Sequence, residues 1–274
     1  MFQPVIKWSG SKRSQAKEIV SYFPDNIDTY YEPFVGGGSI MFELLNSNKK
    51  FNSIICSDLN NDLIDLWNMI KYSKEELSEG YERLWLELNK DDNIVRKKEF
   101  YNFIRGKFNK YRNPIDFMFI NRTTTNGLIR YNKKGEFNNS FHFNRKGINP
   151  KTLQKIIYHW SDKINEFNVE FITQDYQNIT TNKRDFVYCD PPYMKTKGMY
   201  YGTIDYDRFF EWLINLEAKY CFSFDGKVGE EDLTAPVPKE VYERHLYIKS
   251  GCSSFRRIKE QKIEYVYESL YLSY

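Results

Sequence analysis

The sequence predicts an α/β fold with a mostly parallel sheet, and two features of the chain lead to this prediction. Short apolar runs alternate with helical patterns in the first and last thirds of the 274 residues, an order typical of parallel sheets covered by helices. From Glu243 onward, two long runs of alternating residues predict an antiparallel pair that completes the sheet. The middle of the chain follows neither pattern, which predicts an inserted region.

The parallel part of the sheet is expected to use five apolar runs. They span residues 29–35, 53–58, 169–175, 185–190 and 219–225. After the second run, Leu63, Leu66, Trp67 and Ile70 recur at helical spacing. Further helices are predicted directly after the glycines that follow the first run, and over residues 150–166 and 205–217.

The inserted region, residues 72–145, opens with charged amphipathic helices at 75–89 and 94–112 and ends in a basic stretch. Within that stretch, Asn126-Gly127 is a strong signal for a hairpin turn, and Lys134-Gly135 suggests a second turn. We therefore divide the chain into a domain formed by residues 1–71 and 146–274 and an inserted domain formed by residues 72–145.

The composition narrows the class of protein. Hydrophobic residues make up 41% and charged residues 28% of the chain, which excludes a wholly disordered protein. The net charge is only +3, so a polyanionic partner is permitted but not required. Scattered cysteines without C-x-x-C spacing predict buried free thiols, and no metal site is expected. No signal peptide or membrane span is recognised, which predicts a cytoplasmic protein.

The stretch "EPFVGGGS" (32–39) places glycines between the first predicted strand and the first helix. Glycine lets the backbone approach a ligand closely, and a helix N-terminus presents free N–H groups. Asp58 ends the second strand about twenty residues later, where a carboxylate can bind both hydroxyls of a ribose. The spacing matches neither the dinucleotide fingerprint nor the P-loop, which argues against a dinucleotide or a triphosphate as the ligand.

S-adenosylmethionine fits these residues better. It needs a carboxylate for its ribose, an apolar surface for its adenine and a close glycine backbone beside its amino-acid tail. In "IKWSGSKRSQAKEI", Lys12 is a candidate to pair with the carboxylate of that tail, and Trp8 to pack along it. Without these neighbours, a solvated lysine and a core tryptophan would be the ordinary interpretation.

Asp190-Pro191-Pro192-Tyr193 follows a predicted strand, so it is expected at the same carboxyl edge of the sheet as the glycines. Prolines remove backbone donors, while the carbonyl oxygens remain as acceptors. A carboxylate beside carbonyls can hold an amine by its two protons, which would free the lone pair of an exocyclic adenine amine to attack a methyl sulfonium. Tyr193 would stack on the base, which must leave the duplex to reach this pocket.

Together these motifs resemble those of the amino-group DNA methyltransferases, specifically the Dam-type adenine N-6 enzymes of the α group. "KWSGSK" resembles their N-terminal cofactor motif, "EPFVGGGS" their first motif, "DPPY" their catalytic motif and "NGLIRYNKKGEFN" their DNA-reading hairpin. The resemblance implies a Rossmann-like methyltransferase sheet, S-adenosylmethionine as cofactor, and methyl transfer to the N-6 amine of a flipped adenine in double-stranded DNA.

The resemblance also implies roles for individual residues. The catalytic residues would be Asp190, Pro191, Pro192 and Tyr193. The cofactor contacts would be Trp8, Lys12, Glu32, Phe34, Gly36, Gly38, Asp58, Asp175 and Asp190, with Asp175 serving the adenine of the cofactor. The DNA contacts would be Arg122, Asn126, Arg130, Asn132, Lys134, Arg256 and Arg257. Among these, Arg130 is a candidate for a bidentate contact to guanine, with a phosphate contact as the alternative.

Several alternatives stay open. One alternative is a cytosine N-4 DNA methyltransferase, although those enzymes usually carry Ser where this chain has Asp190. Another is a non-catalytic DNA-binding protein that retains the fold, against which the intact Lys12, Asp58 and Asp190 argue. GATC is one candidate target, but Thr125 stands where GATC-modifying members tend to carry an aromatic residue. A monomer is expected, with a dimer as the alternative. The sequence does not decide whether the protein belongs to a phage, acts alone or accompanies a restriction endonuclease in a restriction-modification system.

Overall fold

The computed structural model describes residues 3–144, 146–194, 204–252 and 264–274; for residues 126 and 252 it describes the backbone alone. The strands are β1 (Asn26–Glu32), β2 (Lys50–Asp58), β3 (Glu170–Thr173), β4 (Phe186–Cys189), β5 (Lys219–Val228), β6 (Glu231–Asp232), β7 (Arg244–Cys252) and β8 (Tyr265–Leu272). The helices are α1 (Ala16–Ser21), α2 (Ser39–Leu45), α3 (Asn61–Tyr72), α4 (Lys74–Leu88), α5 (Ile94–Tyr111), α6 (Pro114–Thr123), α7 (Pro150–Glu166) and α8 (Tyr206–Ile214).

The strands of the described residues form one sheet in the order β3-β2-β1-β4-β5-β8-β7, with β6 beside β5. β1 to β5 pair in parallel, whereas β8 runs antiparallel to both β5 and β7. The predicted fold class, a mostly parallel sheet finished by an antiparallel pair, is therefore confirmed. Because β1, β2 and β4 are parallel, the residues that follow them meet at one edge of the sheet.

Helix starts follow local sequence signals. The side chains of Asn93, Asn113 and Asn149 accept hydrogen bonds from backbone N–H groups in the first turns of α5, α6 and α7. Proline occupies the first helical position of α6 and α7, where its missing N–H is not needed. The helices predicted in the insert and in the last third are present within a few residues of their expected bounds. α1 and α6 were not predicted, although Asn113-Pro114 is a recognisable start signal.

The inserted region shares the core of the sheet domain. α4 packs against α3 and α7, α6 packs against α3 and α4, and α5 packs against α6. Buried side chains of the insert, such as Tyr81 and Phe117, belong to the same hydrophobic cluster as Trp67 and Trp160. The insert is therefore fixed to the sheet domain by a shared hydrophobic core.

The arm that follows α6, residues 124–141, corrects one prediction. Antiparallel bridges join Thr124 to Phe141 and Tyr131 to Phe137, so the arm turns at Lys134-Gly135, as the second turn signal predicted. Asn126-Gly127 is not a hairpin turn, because Thr125 donates its N–H to the Ser140 carbonyl and residues 125–127 form a short 3-10 helix. Pairing along the arm thus decided which of the two turn signals forms its tip.

Three further predictions can be compared with the structure. Cys56, Cys189 and Cys221 are buried free thiols, as expected. Within the described ranges, the helices lack the length and apolar character needed to cross a membrane. The His, Cys, Asp and Glu side chains of those same ranges form no group of three or more that could hold a metal ion.

Candidate active site

The glycine loop, residues 35–38, leads from β1 into α2. Val35, Gly36 and Gly37 line a cavity of about 230 Å³, whereas Gly38, predicted to contact the cofactor, is not among its lining residues. Gly36 has φ of +46°, and a Cβ at this position would lie 2.6 Å from the Trp8 indole nitrogen. Gly38 has φ of +66° and precedes the first residue of α2. Both positions require glycine for the left-handed backbone, and Gly36 also requires it for the close approach of Trp8. Trp8, as predicted, lines the same cavity.

Asp58 ends β2 directly beside this loop. Its carboxylate accepts hydrogen bonds from the backbone N–H groups of Gly36 (3.3 Å) and Asn60 (3.0 Å). Burial raises the pKa of Asp58 to about 6, although these hydrogen bonds oppose the shift. At neutral pH the group is therefore an ionised acceptor, aimed from the end of a strand into the cavity. This is the arrangement that a ribose with two hydroxyl donors requires.

Two aromatic rings form part of the cavity lining. The rings of Phe34 and Tyr176 lie 5.5 Å apart between centroids, and both line the cavity. Asp175 is half-buried at the rim and accepts the backbone N–H of Gln177. The structure thus brings Phe34 and Asp175 together, as predicted, on a surface suited to an adenine ring and its amino group.

Glu32, the last residue of β1, is buried in the floor of the cavity. It accepts a hydrogen bond of 2.7 Å from the Tyr30 hydroxyl. Burial raises the pKa of Glu32 to about 8, with the hydrogen bond from Tyr30 opposing the shift. Close to neutral pH this carboxyl is mostly protonated and can donate a hydrogen bond to a ligand.

The proline corner, residues 190–193, follows β4 at the same edge. The Pro192 carbonyl accepts a hydrogen bond from the Tyr206 hydroxyl (2.9 Å), and the Met194 N–H donates to Asp225 (2.9 Å). These contacts fix both ends of the turn. Asp190, whose side chain is 21% exposed, and Pro191 both line the cavity, so their acceptor oxygens belong to the same space as the predicted cofactor residues.

Lys12 joins the proline corner to the C-terminal strands. Its ammonium lies 2.8 Å from Asp190 and 3.1 Å from Glu268, and it also donates to the Gly10 carbonyl at 3.2 Å. Burial opposes the charge on Lys12, but the two carboxylates outweigh it and raise its pKa. The predicted pairing of Lys12 with the tail of the cofactor stays a prediction, and it would require one of these contacts to open.

The pKa of Asp190 depends on burial and on the same charged neighbours. Burial raises its pKa to about 6, while Lys12 opposes the shift, so the carboxylate is ionised at neutral pH. Tyr193 donates its hydroxyl to Glu268 at 2.6 Å, and Lys12 lies 4.8 Å from the centre of its ring. The ring of Tyr193 is therefore held against the charged cluster by contacts at its edge and its face.

Glu268 was missed by sequence reasoning. It lies on β8, whose antiparallel direction brings its first residues beside the end of β5, at the edge where the parallel strands end. The only local signal was a single acidic residue within the apolar and aromatic run "YVYESLYLSY". Such a residue in a strand pattern is unexplained until the partner strand is known.

The predicted DNA contacts other than Arg122 divide into three groups. Arg130 and Lys134 are exposed on the arm, as a DNA contact requires. Asn132 is occupied within the arm, since its side chain accepts the N–H groups of Lys134 and Glu136. For Asn126 the structure describes only the backbone, and Arg256 and Arg257 lie outside the described residues.

The assignment of Arg122 to DNA binding is wrong in this structure. Its side chain is only 4% exposed, and the guanidinium donates to the carbonyls of Pro4 and Val5. Burial lowers the pKa of Arg122 to about 10. The neighbouring Asn121 donates to and accepts from the backbone of Lys7, so the end of α6 holds the segment that leads to Trp8.

A family profile of D12 class N6 adenine-specific DNA methyltransferases matches residues 8–249. The chain belongs to this family. The predicted family is thereby confirmed, and with it S-adenosylmethionine as the cofactor and adenine N-6 methylation of DNA as the class of reaction.

Curated relatives of the family agree. The chain is 35% identical over 208 residues to the Type II methyltransferase M.MjaIII of Methanocaldococcus jannaschii, an alignment that covers 70% of this chain and 69% of the relative. It is 33% identical over 194 residues to the DNA adenine methylase of Escherichia coli K12, covering 69% of this chain and 64% of that one. The chain thus spans less than two thirds of the enterobacterial relative's length.

Among solved structures, the fold is similar to the rRNA methyltransferase aviRa from Streptomyces viridochromogenes. The TM-score is 0.40 at 12% identity, with 99% of this chain and 85% of that one covered. This structural likeness is too low to indicate a shared function.

Proposed function

We propose that this chain is a site-specific DNA methyltransferase that transfers a methyl group to the N-6 amine of an adenine turned out of double-stranded DNA. The observation that carries the proposal is the position of the proline corner. Asp190 and Pro191 line the same cavity as the Gly36 and Asp58 site, so an amine held at the corner would lie next to a cofactor held by the glycine loop.

The residues of the cavity fit S-adenosylmethionine. The glycine loop admits a ligand where a side chain would collide with Trp8, Asp58 can bind the ribose, and Phe34 with Tyr176 can contact the adenine. S-adenosylmethionine supplies the methyl group as a sulfonium. Glu32 and Lys12 also line the cavity, and they are the candidates for the polar tail.

The chain's own residues would hold the target amine. Asp190 is an ionised acceptor at neutral pH, and the Pro191 carbonyl is a second acceptor on a backbone whose φ is fixed by proline. Pro192 is a less suitable acceptor because its carbonyl already binds Tyr206. Two acceptors on the N–H groups would localise the amine lone pair, and orientation would contribute to the rate without a covalent intermediate.

On the DNA side, we propose that residues 72–145 recognise the target. The arm presents Arg130 and Lys134 to solvent, and Arg112 ties the arm to the sheet domain by binding both Asp62 (3.0 Å) and the Gly135 carbonyl (2.7 Å). A fixed arm carrying exposed cations suits a duplex that must be held in register. The cytoplasmic location, the monomeric state and any companion endonuclease remain predictions.

The test is methyl transfer by the wild type and by Asp190→Ala. The wild type should incorporate labelled methyl groups from S-adenosylmethionine into duplex DNA, and methylation-aware sequencing should place them on adenine N-6. Asp190→Ala should lose transfer while keeping DNA affinity, and Asp207→Asn, an exposed carboxylate on α8, serves as the control. Label on cytosine N-4, full activity in Asp190→Ala, or a wild type that binds DNA but not the cofactor would each reject the proposal.

A further inference from the structure

Glu268 is an acidic residue inside an otherwise apolar and aromatic strand, and its carboxylate is turned toward the active site. It lies on β8 opposite an irregularity in the pairing with β5, between the pairs that Phe224 and Lys227 form. Its side chain is 20% exposed. A strand residue needs no carboxylate at such a position for folding, since burying the charge is costly unless it is paired.

Two groups of the proposed catalytic site pair with it. The Tyr193 hydroxyl donates to Glu268 Oε2 at 2.6 Å, and the Lys12 ammonium lies 3.1 Å from the same oxygen. Burial opposes ionisation, but Lys12 and the Tyr193 hydroxyl lower the pKa of Glu268. The carboxylate is thus ionised at neutral pH and accepts two hydrogen bonds from residues far apart in the sequence.

The second carboxylate changes what Lys12 can do. If Asp190 were its single anionic partner, the ammonium would be neutralised only while it stayed on Asp190. Because Glu268 also pairs with the Lys12 ammonium, Asp190 can direct an oxygen toward an incoming amine while Lys12 keeps a negatively charged partner. The hydroxyl bond fixes the Tyr193 ring at the same time, because an aromatic side chain held at its far end has little freedom left to rotate.

We propose that Glu268 is a positioning residue of the active site, which fixes the ring of Tyr193 through its hydroxyl and gives Lys12 a permanent partner beside Asp190. It orders the proline corner before DNA binds. The inference rests on the proposed function and concerns how Asp190 and Tyr193 are held at the place where the target base would bind.

The experiment compares Glu268→Gln with the wild type in single-turnover methyl transfer. Gln keeps the size of the side chain and can still accept hydrogen bonds, but it removes the charge that Lys12 and Tyr193 share. We expect the rate of transfer to fall about 10- to 100-fold, the range for losing hydrogen bonds to a charged group. The Kd for S-adenosylmethionine should change less than the rate of transfer, because Lys12 lines the cavity whereas Glu268 is not among its lining residues. Glu243→Gln, an exposed carboxylate next to β7, is the matched control.

A double-mutant cycle with Tyr193→Phe separates positioning from a general loss of stability. If Glu268 acts partly through the Tyr193 hydroxyl, the two losses should combine to less than their product. If the rate loss of the double variant equals the product of the two single losses, the inference is overturned. A Glu268→Gln rate equal to that of Glu243→Gln would also overturn it. A wild type without methyl transfer would reject the proposed function and this inference with it, whereas an active wild type with an active Glu268→Gln rejects the inference alone.

Discussion

Replacing Gly36 by alanine should damage cofactor binding far more than the added methyl group alone suggests. The left-handed backbone at φ of +46° costs an L-residue about 1–2 kcal/mol. The new Cβ would also lie 2.6 Å from Nε1 and 2.8 Å from Cδ1 of Trp8, so the indole would have to move by about 1 Å to restore normal contact. Forcing an extra carbon into a packed site costs about 1–3 kcal/mol more.

Gly135→Ala provides the matched control. Gly135 has φ of +73°, and a Cβ there would have no atom within 4 Å, so this variant carries the backbone strain without the collision. Gly36→Ala should lower the free energy of unfolding by about 1–3 kcal/mol more than Gly135→Ala, measured by urea denaturation. It should also raise the Kd for S-adenosylmethionine about tenfold or more in calorimetry, since Trp8 lines the cavity and about 1.4 kcal/mol corresponds to tenfold. Equal Kd values for the two variants would refute the reasoning.

Three further outcomes follow from buried or exposed polar groups. Glu32 has a folded pKa raised to about 8, so its contribution to stability is present at low pH and is lost as the pH rises through about 8; Glu32→Gln should therefore show a smaller fall in Tm between about pH 6 and pH 9, and an equal fall would contradict this. Tyr131→Phe removes a 2.7 Å hydrogen bond to Asp62 and should lower the free energy of unfolding by about 1–3 kcal/mol; unchanged urea denaturation would argue against the contact. Arg122→Met should lower Tm without changing the salt dependence of DNA affinity. Arg130→Ala should reduce the slope of log affinity against log salt concentration by about one. The reverse pattern would show that Arg122, and not Arg130, contacts DNA.

Most of the catalytic edge could be predicted from the sequence because its parts are local. Each candidate, such as Asp58 or Asp190, directly follows an apolar run, and parallel strands bring their carboxyl ends to one edge. The bounds of the strands shifted by a few residues, but the side chains at their ends stayed where the pattern placed them. The glycine loop was equally readable, since a close approach of the backbone needs glycine whatever the distant sequence is.

The errors share a cause. Arg122 lies in a stretch that is basic and polar in sequence, yet α6 packs it against the N-terminal segment, where it binds the carbonyls of Pro4 and Val5. Asn126-Gly127 carries the stronger turn signal, but pairing of residues 124–125 with 140–141 moves the tip of the arm to Lys134-Gly135. In both cases a long-range contact overrode a local preference.

The family, the strand-end carboxylates, the glycine loop and the proline corner could be predicted from the amino-acid sequence, because each depends on short motifs of neighbouring residues. The pairing of Glu268 with Lys12 and Tyr193 became visible only in the folded chain. That contact joins three segments through the antiparallel pairing of β8 with β5, and no local pattern records which residue of one strand lies opposite which residue of another. The chemistry of the corner is local, while the partners that hold it in place come from the fold.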